Sequence, residues 1–168
     1  EEARGQAPVF AAGAQRAILA QLRRMGEEDF LALDAGGEGL GNRFAAAARE
    51  ASSVEEVLER AKTKRYAYAR LRRMVLWAYL GLSPETLPAR VPYLRVLAAN
   101  GRGRALLAEM RKRAALPVLT KPAGVRRLSP EAQAVFRQEA RATDLYTLAF
   151  PGVPAPGGAE WREGPRIL

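Results

Sequence analysis

Apolar residues recur at helical intervals along most of the chain, most clearly in a densely basic stretch, residues 62–80. This stretch contains no glycine or proline, which favours an uninterrupted helix. Apolar positions separated by three, four and seven residues predict one buried face, formed by Ala67, Leu71, Met74, Val75, Ala78 and Leu82. A second row on the same helix combines two aromatic rings with two cations: Tyr66, Arg70, Arg73 and Trp77.

The same spacing predicts further helices on both sides of the basic stretch. They cover residues 11–25, 42–50, 53–61, 104–115 and 129–148. The helix at 104–115 is expected to turn Leu106, Leu107 and Met110 inward. Residues 93–99 fit either a strand or one buried helical turn, because periodicity does not decide between the two.

These elements predict an all-α fold of about five or six helices with at most minor strand content. The prolines and glycines that follow Phe150 predict one domain over residues 1–150 and a tail over residues 151–168. A glycine-rich loop at residues 34–41 lacks the spacing of a phosphate-binding P-loop and is interpreted as a turn.

A helical hairpin is predicted to have its corner at Lys62, Thr63 and Lys64. Ser53 opens the first helix with a capping box, since Glu56 follows three residues later. Thr63 is expected to cap the basic helix. Cations at a helix N-terminus add their charge to the positive end of the helix dipole, so the corner is a candidate anion site.

The charge of the chain makes this helical domain a candidate for binding a polyanion. The 168 residues include 27 Lys and Arg against 18 Asp and Glu, a net charge of +9. This balance is typical of nucleic-acid-binding proteins. An anionic membrane is the competing partner, but the sequence has neither an interfacial basic helix at a terminus nor a membrane-spanning apolar run. We therefore expect a cytoplasmic protein without a membrane partner.

The composition also excludes several kinds of catalytic site. The chain has no histidine, hence no Ser/His/Asp triad, no HExxH zinc site and no imidazole base. It has no cysteine, which removes disulfides and thiolate chemistry. Neighbouring carboxylates such as Glu55 and Glu56 point to different faces of a helix and predict no metal site. Because the chain starts at Glu1 rather than Met, we expect a fragment whose upstream part is missing.

Four segments, in this order, resemble motifs of one bacterial family. They are EGLGNR at 38–43, KTKRY and ARLRR within 62–73, YLRVL at 93–97 with GR at 103–104 and LP at 116–117, and RATDLY at 141–146. Together they resemble the C-terminal region of the tRNA(Met) cytidine acetate ligases, which are nucleotidyltransferase-like proteins. The sequence departs from that pattern at Gly41, where the family has Glu, and at Ala98 and Ala99, where it has Gly and Phe.

The resemblance implies an ATP-dependent ligase that forms acetyl-adenylate and acetylates the wobble cytidine of elongator tRNA(Met). In that family an N-terminal nucleotidyltransferase domain carries an HxGH motif. Since this chain has no histidine, the resemblance implies a helical tRNA-binding fragment that lacks the catalytic domain and is inactive alone. ATP and Mg²⁺ are then expected for the whole enzyme, with no cofactor in this fragment. The partners are expected to be elongator tRNA(Met) and the N-terminal domain of the same protein.

Two groups of residues carry this hypothesis. Phosphate contacts are expected from Lys62, Lys64, Arg65, Arg70, Arg72 and Arg73, and base stacking from Tyr66 or Tyr68. Alternatively, the aromatic rings are buried and the arginine stems pack over them. An interface to the missing catalytic domain is expected at Asn42, Arg43, Arg141 and Asp144.

Each group also has a plainer interpretation. Arg141 and Asp144 fit a surface ion pair three residues apart, and Asn42 and Arg43 fit a helix cap. A different class of function stays open as well. In that alternative the chain is a helical interaction module that completes the adjoining nucleotidyltransferase domain without binding RNA, and its charge serves only solubility.

Overall fold

The computed structural model describes residues 10–33, 39–152 and 156–168, and most of these residues are helical. The predicted loop at residues 34–41 lies largely outside them. The α-helices are α1 (Gln15–Arg24), α2 (Glu27–Leu33), α3 (Leu40–Glu50), α4 (Val54–Ala61), α5 (Tyr68–Leu80), α6 (Gly101–Arg113), α7 (Pro130–Thr147) and α8 (Ala159–Arg162). Short 3₁₀ helices cover Ala11–Ala14 and Pro122–Arg127. The strands are β1 (Leu94–Arg95), β2 (Ala98–Ala99), β3 (Val118–Leu119) and β4 (Arg166–Ile167).

The chain divides into two compact units. The first contains the described residues up to Leu87 together with those from Leu145 to Gly152. The second contains Pro88–Asp144 and Pro156–Leu168. Each unit therefore takes residues from both sides of position 150, where the sequence predicts a domain boundary.

In the first unit, helices α1 to α5 surround one apolar core. The rings of Phe30 on α2 and Phe44 on α3 stack with their centroids 5.3 Å apart, and both side chains are fully buried. Helices α2 and α3 approach closely at Gly41, where an added Cβ would lie 2.8 Å from the Glu27 carbonyl oxygen and from Leu31 Cγ. A glutamate at this position would require the two helices to separate.

The second unit corrects the predicted fold class. Strands β1 and β3 pair in parallel, as do β2 and β4, so the prediction of an all-α fold is wrong. The segment at residues 93–99, which the sequence left open, supplies one strand to each pair. Each strand has only two residues, too few for an alternating pattern to be seen. Part of the predicted tail is also ordered, since it forms α8 and β4.

The core of the second unit is small and is built on α7. Phe136 is fully buried there, with Leu119 and Val125 packed in the same cluster. The Tyr93 hydroxyl donates to Glu139 on α7 at 2.7 Å, and burial raises the pKa of Tyr93. Glu160 of α8 pairs with Arg95 and accepts a hydrogen bond from Thr143 Oγ1 at 2.7 Å. These contacts fix α8 against α7.

Candidate nucleic-acid interface

Ser53 caps helix α4 as the sequence predicts, but the Glu56 side chain bonds to Ser52 and not to the Ser53 N–H that a capping box requires. Ser53 Oγ accepts a hydrogen bond from the Glu56 N–H at 3.0 Å. The Glu56 carboxylate in turn accepts from the N–H and hydroxyl of Ser52, both at 2.8 Å, and pairs with Arg60 at 2.8 Å. These contacts, led by the Ser52 N–H, lower the pKa of Glu56 to about 2. Arg60 also pairs with Glu50, so its charge is offset locally.

The corner between α4 and α5 is not the helical turn that the sequence predicts. Lys62 has an extended backbone, and α5 begins at Tyr68 rather than near Lys62. Thr63 does not cap α5: its hydroxyl accepts from the Arg65 N–H at 3.2 Å, while the N-cap residue is Ala67. The ammonium of Lys62 donates to the carbonyl oxygens of Thr63 at 3.0 Å and Tyr66 at 2.9 Å. These bonds hold the corner in a tight loop.

The predicted apolar face of α5 is confirmed for its central residues, whereas Ala67 is exposed and Leu82 is half-buried, and both lie outside the helix. Leu71, Met74, Val75 and Ala78 are all buried, and Tyr79 joins them. The Tyr79 hydroxyl donates to the Leu145 carbonyl oxygen at 2.9 Å. Glycine ends the helix, since Gly81 adopts the left-handed conformation that a side chain disfavours. The helix is therefore held along one side while its opposite side faces solvent.

The second predicted row pairs each ring with a cation. Arg70 lies over the ring of Tyr66 at 5.3 Å, and Arg73 lies over the ring of Trp77 at 6.0 Å. Tyr66 is only 5% exposed, so its ring is part of the core and is not available to a base. Its contribution to an interface is to support Arg70.

Tyr68 is the exposed aromatic residue of this region. It is 37% exposed, and two cations flank its ring: Lys62 at 5.3 Å and Arg72 at 5.7 Å from the centroid. A ring that is held beside cations at the surface can stack on an unpaired base while the cations contact the adjoining phosphates. Tyr68 therefore fits the stacking role better than Tyr66.

Four exposed cations and Tyr68 form what we name the α5 basic surface, which consists of Lys64, Arg65, Tyr68, Arg72 and Arg73. All five side chains are exposed. Arg72 lies 3.9 Å from Glu55, and both of these side chains are more than 60% exposed. An ion pair so exposed is weak. The surface thus keeps most of its positive charge available to a polyanion.

The remaining predicted residues do not join this surface. Asn42 and Arg43 are exposed on α3 of the first unit, whereas Arg141 and Asp144 belong to the second unit. Asp144 accepts a hydrogen bond from the Gly158 N–H at 2.6 Å. This contact gives Asp144 a structural role, because it ties the segment before α8 to α7.

The described residues offer neither a cluster of metal ligands nor a membrane-spanning helix. These residues contain no group of three or more acidic, histidine or cysteine side chains able to hold a metal ion. None of their helices is both long and apolar enough to cross a bilayer.

The chain resembles known proteins over most of its length. The model of a family described as HIGH nucleotidyl transferase matches residues 1–157. The tRNA(Met) cytidine acetate ligase of Kosmotoga olearia is 32% identical over 162 residues, which cover 87% of this chain and 38% of that protein. The protein of the same name from Thermotoga petrophila is also 32% identical, with 89% and 39% covered.

The solved structure of one relative also matches this chain. Thermotoga maritima TmcAL, crystallised with alpha-thio ATP, superposes with a TM-score of 0.88 at 28% identity, covering 100% of this chain and 44% of that one. The chain spans about two fifths of the length of the curated relatives named above.

These matches correct two predictions. The chain was expected to be a C-terminal region that lacks the nucleotidyltransferase domain, and to have that domain as its partner. The first expectation is wrong, because the nucleotidyltransferase family model itself matches residues 1–157, and the same match gives the second no support. The match rests on the sequence as a whole and not on the HxGH signature, since none of the 168 residues is histidine.

Proposed function

The chain belongs to the HIGH nucleotidyl transferase family, and from this premise we propose that it is the nucleotidyltransferase-family domain of a cytoplasmic tRNA(Met) cytidine acetate ligase. The names of its relatives support this proposal. So does the high net positive charge, which suits a protein whose substrate is an RNA. In such a ligase, ATP would activate acetate for transfer to a cytidine.

Within this proposal, the α5 basic surface binds the tRNA. The observation that carries this assignment is the exposed ring of Tyr68, which has Lys62 and Arg72 within 6 Å of its centroid and lies at the start of a helix whose other side is buried. Arginine binds phosphate through two parallel hydrogen bonds, and the neighbouring ring stacks on an unpaired base. An anchored helix keeps these groups at fixed spacing.

Each candidate residue has a distinct part in this contact. Lys64, Arg65, Arg72 and Arg73 reach solvent and contact phosphates directly. Lys62 holds the corner through the carbonyl oxygens of Thr63 and Tyr66, so it positions the loop that carries Lys64 and Arg65. Arg70 is half-buried over Tyr66, which restricts its guanidinium to one region of the surface.

ATP is supported by the relative that was crystallised with its thio analogue. Within the described residues, no group of three or more acidic, histidine or cysteine side chains offers a metal site by itself. The family's histidine chemistry has no counterpart here either, since the chain has no histidine. We therefore derive no reaction step through ATP or Mg²⁺ from these residues.

The experiment compares tRNA(Met) binding of two charge-matched variants by fluorescence anisotropy at several salt concentrations. One variant is Arg72→Ala/Arg73→Ala, on the α5 basic surface. The control is Arg16→Ala/Arg24→Ala, which removes the same charge from exposed positions of α1 in the same unit. For the native chain, the logarithm of the binding constant should fall linearly with the logarithm of the salt concentration, by about 0.7–0.9 per phosphate contacted.

The two variants should differ clearly in the salt dependence of tRNA binding. Losing two phosphate contacts should reduce the salt slope by about 1.5 in the α5 variant. The α1 control should keep the native slope, because its arginines do not touch the RNA. Equal slopes in both variants would show that charge acts non-specifically and would refute the α5 basic surface as the tRNA site.

A further inference from the structure

An open cavity of about 780 Å³ lies in the second unit, bordered by α6, the segment after β3 and the C-terminal segment. This volume lies within the range of small-molecule sites. No Asp or Glu occurs among its described lining residues. Its charged lining is entirely basic and consists of Arg104, Arg111, Lys121 and Arg162.

These four cations come from separate segments that the fold brings together. Hydrogen bonds orient two of them: Arg111 Nη2 donates to Thr120 Oγ1 at 2.7 Å, and Arg162 Nη2 donates to the Gly157 carbonyl oxygen at 2.8 Å. Each guanidinium keeps further donors for a ligand. Within the described part of the chain, no ion pair with a carboxylate offsets any of the four. Four uncompensated cations around one cavity favour an anion.

The same cavity contains a fixed aromatic surface. Trp161 lines it and is 46% exposed. Its ring contacts the buried ring of Phe136 edge-on, with centroids 4.8 Å apart and the planes at 71°. The contact with Phe136 anchors the ring while leaving part of it open, which is the arrangement of a stacking platform for a planar group.

A neighbouring cavity extends the basic lining. It shares Arg111, Thr120 and Lys121 with the first cavity and adds Arg127. The shared arginine and lysine therefore lie between two spaces that could each take a phosphate. This continuity suits a ligand with more than one phosphate.

We propose that this cavity binds a nucleotide, with its phosphate on Arg104, Arg111 and Lys121 and its base stacked on Trp161. The proposal is independent of the α5 basic surface, because every residue it uses belongs to the second unit. The nucleotide could be a free mononucleotide or an unpaired nucleotide of an RNA, since both present the same phosphate and base.

The test follows the fluorescence of Trp161 in the full chain. The chain has two tryptophans and five tyrosines, so a Trp77→Phe background leaves Trp161 as the only tryptophan, and excitation at wavelengths that tyrosine does not absorb isolates its emission. Adenosine monophosphate, a five-nucleotide oligoadenylate and inorganic phosphate are titrated separately. Quenching by the two nucleotides is expected, because base stacking on the indole ring alters its emission.

The variant that tests the cavity is Arg104→Glu/Lys121→Glu, and the control is Arg102→Glu/Arg126→Glu. All four positions are exposed, and the control pair makes the same charge change outside both cavities. The cavity variant should weaken nucleotide binding at least tenfold while the control binds as the parent does. Lys121→Gln provides a milder second variant that should weaken binding severalfold without reversing a charge.

Each result decides the proposal. Equal affinity for the mononucleotide and the oligonucleotide supports a free nucleotide, and at least tenfold tighter binding of the oligonucleotide supports an RNA nucleotide. Absence of quenching, equal losses in cavity and control variants, or full competition by phosphate at equal concentration would overturn it. The Arg72→Ala/Arg73→Ala variant should leave the quenching unchanged. If that variant abolished the quenching, the nucleotide would bind elsewhere and the proposal would be refuted, whatever the outcome for tRNA.

Discussion

Helices α5 and α6 have the same length and both are rich in arginine, yet the structure uses them differently. Each has 13 residues. Helix α5 buries five residues in the core of the first unit, whereas α6 buries none. The cations of α5 are thus spaced by an anchored helix. On α6, Arg111 donates one hydrogen bond to Thr120, and Lys112 and Arg113 pair with Glu109 of the same helix. Two arginine-rich helices of equal length therefore differ in how they hold their cations, because one is packed into a core and the other is not.

The largest expected difference between the helices concerns their apolar residues. Leu71→Ala on α5 should lower the free energy of unfolding by about 2–5 kcal/mol, because the side chain is fully buried. Leu106→Ala on α6 should change it by less than about 0.5 kcal/mol, since Leu106 is 62% exposed. Urea unfolding followed by circular dichroism measures both. Comparable losses in the two variants would mean that α6 is covered by other parts of the protein in solution.

A smaller effect is expected at the start of α6, which depends on its cap. The Asn100 side chain accepts a hydrogen bond from the Gly103 N–H at 2.9 Å. Asn100→Ala should cost about 1 kcal/mol of local stability, seen as roughly fivefold faster hydrogen exchange in the first turn of α6. Asn42→Ala is a matched control, because Asn42 is an exposed residue of α3. Unchanged exchange in Asn100→Ala would show that other contacts hold this turn.

The smallest effect concerns the cap beside α5 and depends on pH. The folded state lowers the pKa of Glu56 from 4.5 to about 2. A lowered carboxyl pKa stabilises the fold above the unfolded value, and that contribution is lost as the pH falls from 4.5 towards 2. Glu56→Gln should therefore flatten the decline in stability over this range, while Glu59→Gln on the same helix should preserve it. An NMR titration of the Glu56 carboxyl group with its midpoint near 4.5 would contradict this account.

Local patterns in the sequence were sufficient to predict much of the structure of the first unit. The Ser53 cap and the central part of the buried face of α5 depend on residues a few positions apart, and both are found as predicted. The start of α5 was misplaced because Lys62 bonds to the carbonyl oxygens of Thr63 and Tyr66, which competes with a helical turn. Helix propensity describes the preference of each residue type, so it does not predict such a contact between a side chain and the backbone.

The second unit depends on contacts that are distant in sequence, and prediction was poorer there. Strand β1 pairs with β3, and β2 pairs with β4. The paired strands are far apart in the sequence, and no local pattern predicts such pairing. Leu106 was expected to face inward but is exposed. The cavity residues extend from Arg104 to Arg162, so only the fold brings their charges together. No local pattern in the sequence predicts that these charges converge.

The central claim, that the α5 basic surface binds tRNA, is tested most directly by hydrogen–deuterium exchange of the full chain with and without tRNA(Met). The account predicts slower exchange in peptides that cover residues 62–73, at low salt, with no such change in peptides of α1. It also predicts that the protection at 62–73 disappears in Arg72→Ala/Arg73→Ala. Tight tRNA binding with unchanged exchange at residues 62–73 would contradict the account and place the RNA on another surface.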